Sequence, residues 1–150
     1  MRFTVVLLAI GLAFAACNRG GGTTDSAPRT SGAVCAACGA IIGDEAFAAQ
    51  YRLSSGTVKS FDDPGCLFRA LRGESGDPTV IRFRARDSDR WLSASEVWFA
   101  TTPETKSPHG YGWAAYASFA DAQDAVAKAG SGEILPFDQA RERIAAPAKE

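Results

Sequence analysis

Phe3 to Ala16 is an uncharged run, apolar but for Thr4, preceded by Met1-Arg2 and closed by Ala15-Ala16-Cys17. A helix needs roughly 20 residues to cross a bilayer, so this run is too short to span one. Its length and flanks are those of a secretory leader, which withdraws residues 1–16 from the mature fold. Asn18 to Ala33 is dominated by Gly, Ser, Thr and Asn. Such a stretch buries too little apolar area to offset its ordering entropy, so 17–33 is expected to be a flexible tether. What remains, 34–146, has the size of one domain with its own core.

Leu12-Ala13-Phe14-Ala15-Ala16-Cys17 resembles the lipobox of bacterial lipoproteins, with Phe14 where Leu is more usual. The resemblance implies that Cys17 is acylated, becomes the first residue and anchors the chain to a membrane outside the cytoplasm. Asn18 rather than Asp after the cysteine implies, by the same resemblance, the outer membrane of a Gram-negative cell. The alternative is an ordinary signal peptide with an incidental Cys17.

The formal net charge is −1 and no basic stripe is present, which argues against a nucleic-acid partner. The alternation Arg82, Arg84, Arg86 is expected to be the wet face of a strand. The chain has one Met, Met1, and one His, His109. Metal chemistry in the mature domain must therefore draw on cysteines, His109 and carboxylates.

Phe47, Ala49, Tyr51 and Leu53 alternate with polar or small residues, a period of two that predicts a strand. Ser54-Ser55-Gly56 turns the chain and Thr57 to Phe61 returns as a hairpin partner. Asp62-Asp63-Pro64 offers an N-cap and a first-turn proline for a helix over Cys66 to Arg72. Thr79 to Ala85 predicts a strand, and Trp91-Leu92 and Trp98 to Thr102 are apolar segments. Pro103 to Gly112 is a Pro/Gly-punctuated loop, followed by a strand over Trp113 to Tyr116. Ala120 to Ala129 is a helix that Gly130 stops, Glu133 to Leu135 a strand, and Phe137 to Ile144 a final helix. Gly56 to Asp62 aligns without gaps on Gly132 to Asp138, as a strand–strand–helix unit used twice would. The expected class is α+β: mostly antiparallel strands with short helices on one side.

Cys35-Ala36-Ala37-Cys38-Gly39 has the spacing of a metal knuckle, in which a turn points two sulfurs at one ion. The same spacing serves redox disulfides, but a thioredoxin-like site expects a helix starting at the motif. Cys66 stands at the start of a predicted helix, where the macrodipole favours a thiolate. His109 lies in Pro108-His109-Gly110-Tyr111-Gly112, whose Gly and Pro fix an irregular backbone able to present a side chain. Cys35, Cys38, Cys66 and His109 form a complete tetrahedral set for zinc or, with fewer ligands engaged, a soft site for Cu(I). Asp62-Asp63 is expected to cap the helix rather than bind metal. Trp98, Tyr111 and Trp113 are expected in the core rather than on a docking surface.

Several of these pieces, in this order, resemble one family, the nitrous oxide reductase accessory lipoproteins NosL. They are the leader, Cys35-Ala36-Ala37-Cys38-Gly39, Phe47-Ala48-Ala49-Gln50, Phe61-Asp62-Asp63-Pro64-Gly65-Cys66, Pro108-His109-Gly110-Tyr111-Gly112 and Phe137-Asp138. The resemblance implies a small α+β domain of two related halves. It also implies a non-enzymatic periplasmic carrier that binds Cu(I) and delivers it to a copper-receiving apo-enzyme such as nitrous oxide reductase. Where the family commonly has Met, this chain has Ala40 and His109. Thioethers select Cu(I), so their loss shifts the donor set toward zinc or Cu(II) tolerance. Two other functions stay open: a structural zinc or partner-docking domain, and a thiol–disulfide oxidoreductase using Cys35 and Cys38.

Overall fold

The computed structural model describes residues 28–144. The leader, Cys17 and most of the expected tether lie outside them. Strands β1 (Ala49–Leu53), β2 (Val58–Phe61), β3 (Pro78–Arg84) and β4 (Trp91–Ser93) form one antiparallel sheet in the order β2-β1-β3-β4. Strands β5 (Trp98–Thr101), β6 (Ala114–Tyr116) and β7 (Glu133–Pro136) form a second, in the order β6-β5-β7. Helices α1 (Pro64–Arg72), α2 (Phe119–Ala129) and α3 (Phe137–Arg143) complete the expected α+β fold. Among the described residues no helix is long and apolar enough to cross a membrane.

The period of two in β1 and β3 sends one side of each strand inward. Register pairs Ala49 with both Phe61 and Phe83, and Phe83 with Leu92, so one apolar row crosses all four strands. Leu67, Phe68 and Leu71 of α1 cover that face. Phe68, Phe83 and Phe99 meet at ring-centroid distances of 4.8–5.5 Å, joining both sheets and α1 in one core. Each such ring contributes roughly 1.5–3 kcal/mol through burial. The Arg86 N–H donates to Ala115 O at 2.7 Å and ties the sheets edge to edge.

The halves repeat as ββαβ. A strand pair (β1-β2 or β5-β6) leads into a helix (α1 or α2), and the next strand (β3 or β7) pairs with the first. The Gly56/Gly132 echo is a different matter. It falls on β2 and β7, which are not equivalent in this repeat. The real correspondence is Phe61-Asp62-Asp63 with Tyr116-Ala117-Ser118, each an aromatic strand end two residues before a helix N-cap.

Three further expectations are corrected. Helices do not lie on one side only: Phe99, Ala115 and Leu135 of the second sheet face the main core with α3, and Ala100, Ala114 and Ile134 face α2. Phe47 is not in the strand. Asp44 accepts from the Ala46 N–H at 2.9 Å and caps a 3-10 turn over Glu45–Phe47, which turns Phe47 into the α2 cluster. Residues 30–33 are docked rather than tethering. Thr30 is fully buried and donates to Glu45 at 2.7 Å, and the Gly32 N–H donates to Ile42 O at 3.0 Å.

Candidate metal centre

Three segments converge beside the start of α1. The first is the Cys35–Ala40 loop. A bridge between Val34 and Ile41 closes its base, and the Cys35 N–H donates to Ala40 O at 2.8 Å. The Gly39 N–H donates back to Cys35 O at 2.9 Å, with Gly39 at φ +80°, a left-handed turn that glycine makes at no steric cost. The Ala36 N–H to Ser60 O at 2.9 Å and Arg69 Nη2 to Ala37 O at 3.2 Å fasten the loop to β2 and α1. The motif is thus a turn on the flank of α1, not the start of a helix.

The second segment is Asp62 to Cys66. Asp63 has an extended backbone, φ −147° and ψ 136°, and caps α1 by accepting from the Gly65 N–H at 2.8 Å. In extended chain neighbouring side chains point to opposite sides. With Asp63 turned onto the helix, Asp62 is turned toward the thiols. Its two oxygens each lie 3.9 Å from Cys38 Sγ. Cys66, in the first turn of α1, faces the same space.

The third segment is the loop from β5 to β6, which belongs to the second half. Gly110 and Gly112 take φ of +71° and +72°, and Gly112 N–H donates to Ser107 Oγ at 2.9 Å. The His109 N–H donates to Asp63 Oδ2 at 3.1 Å, so one fully buried carboxylate both caps α1 and pins this loop. Tyr111 lies on Gly65: a Cβ at that position would land on the Tyr111 ring. The only His is thereby brought to the cysteines.

Donor atoms of Cys35, Cys38, Asp62 and Cys66 all lie within 4.8 Å of one another. His109 Nε2 lies at the edge of this set, 3.1 Å from Cys38 Sγ and 2.7 Å from Asp62 Oδ2. All four sequence-predicted residues, Cys35, Cys38, Cys66 and His109, are therefore gathered in one place. Asp62 is the residue that sequence reasoning missed. The signal for it was the doubled aspartate, since one residue of an adjacent pair can occupy the N-cap and the other then points away.

Burial divides the donors. Cys35 and Cys66 are each 1% exposed, Cys38 is exposed, and the His109 side chain is 33% exposed. Burial raises the Cys35 thiol above its ordinary range. It also raises Cys66, with the charges of Cys35, Asp62, Cys38 and Asp63 acting in the same direction. The macrodipole argument for a Cys66 thiolate fails here, because desolvation and like charges outweigh it. Cys35, Cys38 and Cys66 are free thiols.

The sequence matches no protein-family model and no curated protein. Among solved structures, the crystal structure of the copper chaperone NosL from Shewanella denitrificans aligns with a TM-score of 0.65 and 19% identity. The alignment covers 76% of this chain and 94% of that one. The chain shares the fold of that chaperone. Nearly all of the NosL chain therefore finds a counterpart here. Identity at this level carries the fold alone.

Proposed function

We propose that this chain is a metallochaperone that binds Cu(I) and passes it to a copper-receiving protein. The observation that carries the reading is the exposed Cys38 thiol, 3.1 Å from half-exposed His109 Nε2, above the buried thiols Cys35 and Cys66. It occurs on the fold of a copper chaperone. Thiolate and imidazole are strong Cu(I) donors even without a thioether. A carrier must also release its ion. Cys38 and His109 lie where an incoming ligand from a partner can replace them one at a time, with Cys35 holding the ion from below. Cys66 lies in the same cluster and completes the sulfur set.

The carrier works outside the cytoplasm in this reading, held to the outer membrane through lipid on Cys17. Its client is the apo form of a copper enzyme such as nitrous oxide reductase. The oxidoreductase alternative fits the structure less well. Cys35 is buried with a raised pKa, and the pair lies in a turn, whereas a redox pair needs an accessible, low-pKa thiolate.

The test is native mass spectrometry of the reduced protein titrated anaerobically with Cu(I), repeated on Cys38→Ser and His109→Ala. One tightly held Cu(I), weakened in both variants and removed by a strong chelator without unfolding, supports the carrier. Absence of stoichiometric Cu(I) binding by the reduced wild type would sink it.

A further inference from the structure

Asp62 is the donor that the carrier reading leaves unused. A carboxylate is a hard ligand, poorly matched to Cu(I), yet its side chain is 5% exposed and placed among three sulfurs. Its one strong partner is His109, at 2.7 Å from Oδ2, and the equivalent position in the second half is Ala117. Helix capping does not require it, since Asp63 performs that task.

The four-donor set is a tetrahedral kit. At Zn–S distances of ~2.3 Å and Zn–O of ~2.1 Å, tetrahedral donors sit roughly 3.5–4 Å apart. The set of Cys35, Cys38, Cys66 and Asp62 already lies inside a 4.8 Å envelope, so closing on an ion takes shifts on the order of an ångström. Charge separates the ion classes further. Three thiolates and a carboxylate crowded together, all but Cys38 of them buried, repel one another strongly, and a divalent ion neutralises one more of those charges than Cu(I) does. Cu(I) is better served by two thiolates and the neutral imidazole: His109 Nε2 then exchanges its contact with Asp62 for the ion, and the carboxylate stays outside the ligand set.

We propose that Asp62 gives this site a second ion class: a divalent, tetrahedral-preferring cation of the zinc type, held by Cys35, Cys38, Cys66 and Asp62. The ion's charge selects between this mode and the Cu(I) mode, with Cys38 common to both. Asp62 is then the residue that sets specificity, and a bound divalent ion competes with Cu(I) for the buried sulfurs. The proposal deepens the carrier reading and rests on it for the Cu(I) mode.

The experiment is chelator competition on the reduced, anaerobic protein with Zn(II) and Cu(I) in turn, for wild type, Asp62→Asn and His109→Ala. A crossed pattern is expected. Asp62→Asn weakens Zn(II) at least about tenfold and Cu(I) by less than about threefold, and His109→Ala weakens Cu(I) but spares Zn(II). Equal losses of both ions in Asp62→Asn would show that Asp62 acts only by orienting His109, and overturn the proposal. So would an Asp62→Asn protein that binds Zn(II) as the wild type does. Co(II) added to the wild type removes dependence on a folded variant. Thiolate-to-cobalt charge transfer with intense tetrahedral d–d bands is expected, and a weak octahedral spectrum overturns the assignment. A wild type that takes Cu(I) but no Zn(II) sinks this inference and leaves the carrier standing. One that takes Zn(II) and no Cu(I) sinks the carrier and leaves the divalent mode.

Discussion

Asp62 and Asp63 are chemically identical neighbours with unrelated tasks. Asp63 accepts from the Gly65 N–H, the His109 N–H and the Ser107 hydroxyl, and burial raises its carboxyl above the usual range. Asp63→Ala removes a cap and leaves the part-buried His109 N–H without its acceptor. Adding the ordinary cost of each gives a destabilisation of about 2–4 kcal/mol, read from urea or thermal unfolding, together with weakened Cu(I) binding. Unchanged stability would mean that the loop and helix are held by other contacts. The presence of a cap was legible in Asp-Asp-Pro. Which aspartate capped, and what the other then faced, depended on where β2 ended and was not. A second residue-scale prediction concerns Glu74, which accepts from Lys59 Nζ at 2.7 Å, from the Tyr51 hydroxyl and from the Gly76 N–H at 3.0 Å. Those donors, Lys59 first, hold its carboxyl at about 2, below its ordinary value of 4.5. A folded pKa below the unfolded one stabilises the fold above pH ~4.5, and the contribution is lost as pH falls toward 2. The melting-temperature gap between wild type and Glu74→Gln should be open at pH 7 and close across that window. A gap independent of pH would show that Glu74 contributes packing alone.

At the scale of elements, the β5–β6 loop has to arrive on α1 with no side chain in its way. Gly65 supplies that clearance beneath Tyr111. Gly65→Ala puts a methyl into the ring, and Tyr111 can yield only by moving the loop that carries His109. The expected result is a loss of roughly 1–3 kcal/mol of stability, with weaker Cu(I) binding but near-normal far-UV circular dichroism. Normal Cu(I) affinity in that variant would show that His109 is positioned independently of Tyr111. Most elements were legible because alternation and helix stops are local signals. Ala49 to Leu53, Val58 to Phe61 and the Gly130 stop, at φ +80°, fall where period and turn chemistry put them. The approach of Tyr111 to Gly65 was not legible, because it joins residues from different halves. The seven-residue echo misled for the same reason: equivalence between halves resides in strand pairing, and similar letters fell on non-equivalent strands.

Across the whole molecule, the candidate site bridges the halves at the border of the core, to which only Cys35 and Cys66 belong. Cys35, Cys38, Asp62 and Cys66 come from the first half and its N-terminal loop, and His109 from the second. The aromatic centre at Phe68, Phe83 and Phe99 joins the halves on its own account. An ion held there would therefore be an added cross-link and not the source of the fold. An ion that binds only the native state stabilises it by RT ln(1 + [L]/Kd), about 2.7 kcal/mol when free ion is a hundredfold above Kd. For a domain of this size that corresponds to a rise in melting temperature of about 10 °C. The metal-free protein should unfold in one cooperative transition, and the transition should climb with each increment of free Cu(I), buffered by a chelator. A small zinc-built domain behaves differently, since metal removal takes its folding free energy with it. Loss of the cooperative transition on chelation would place the ion among the determinants of the fold and count against a carrier, because each handover would then cost the protein its folding free energy.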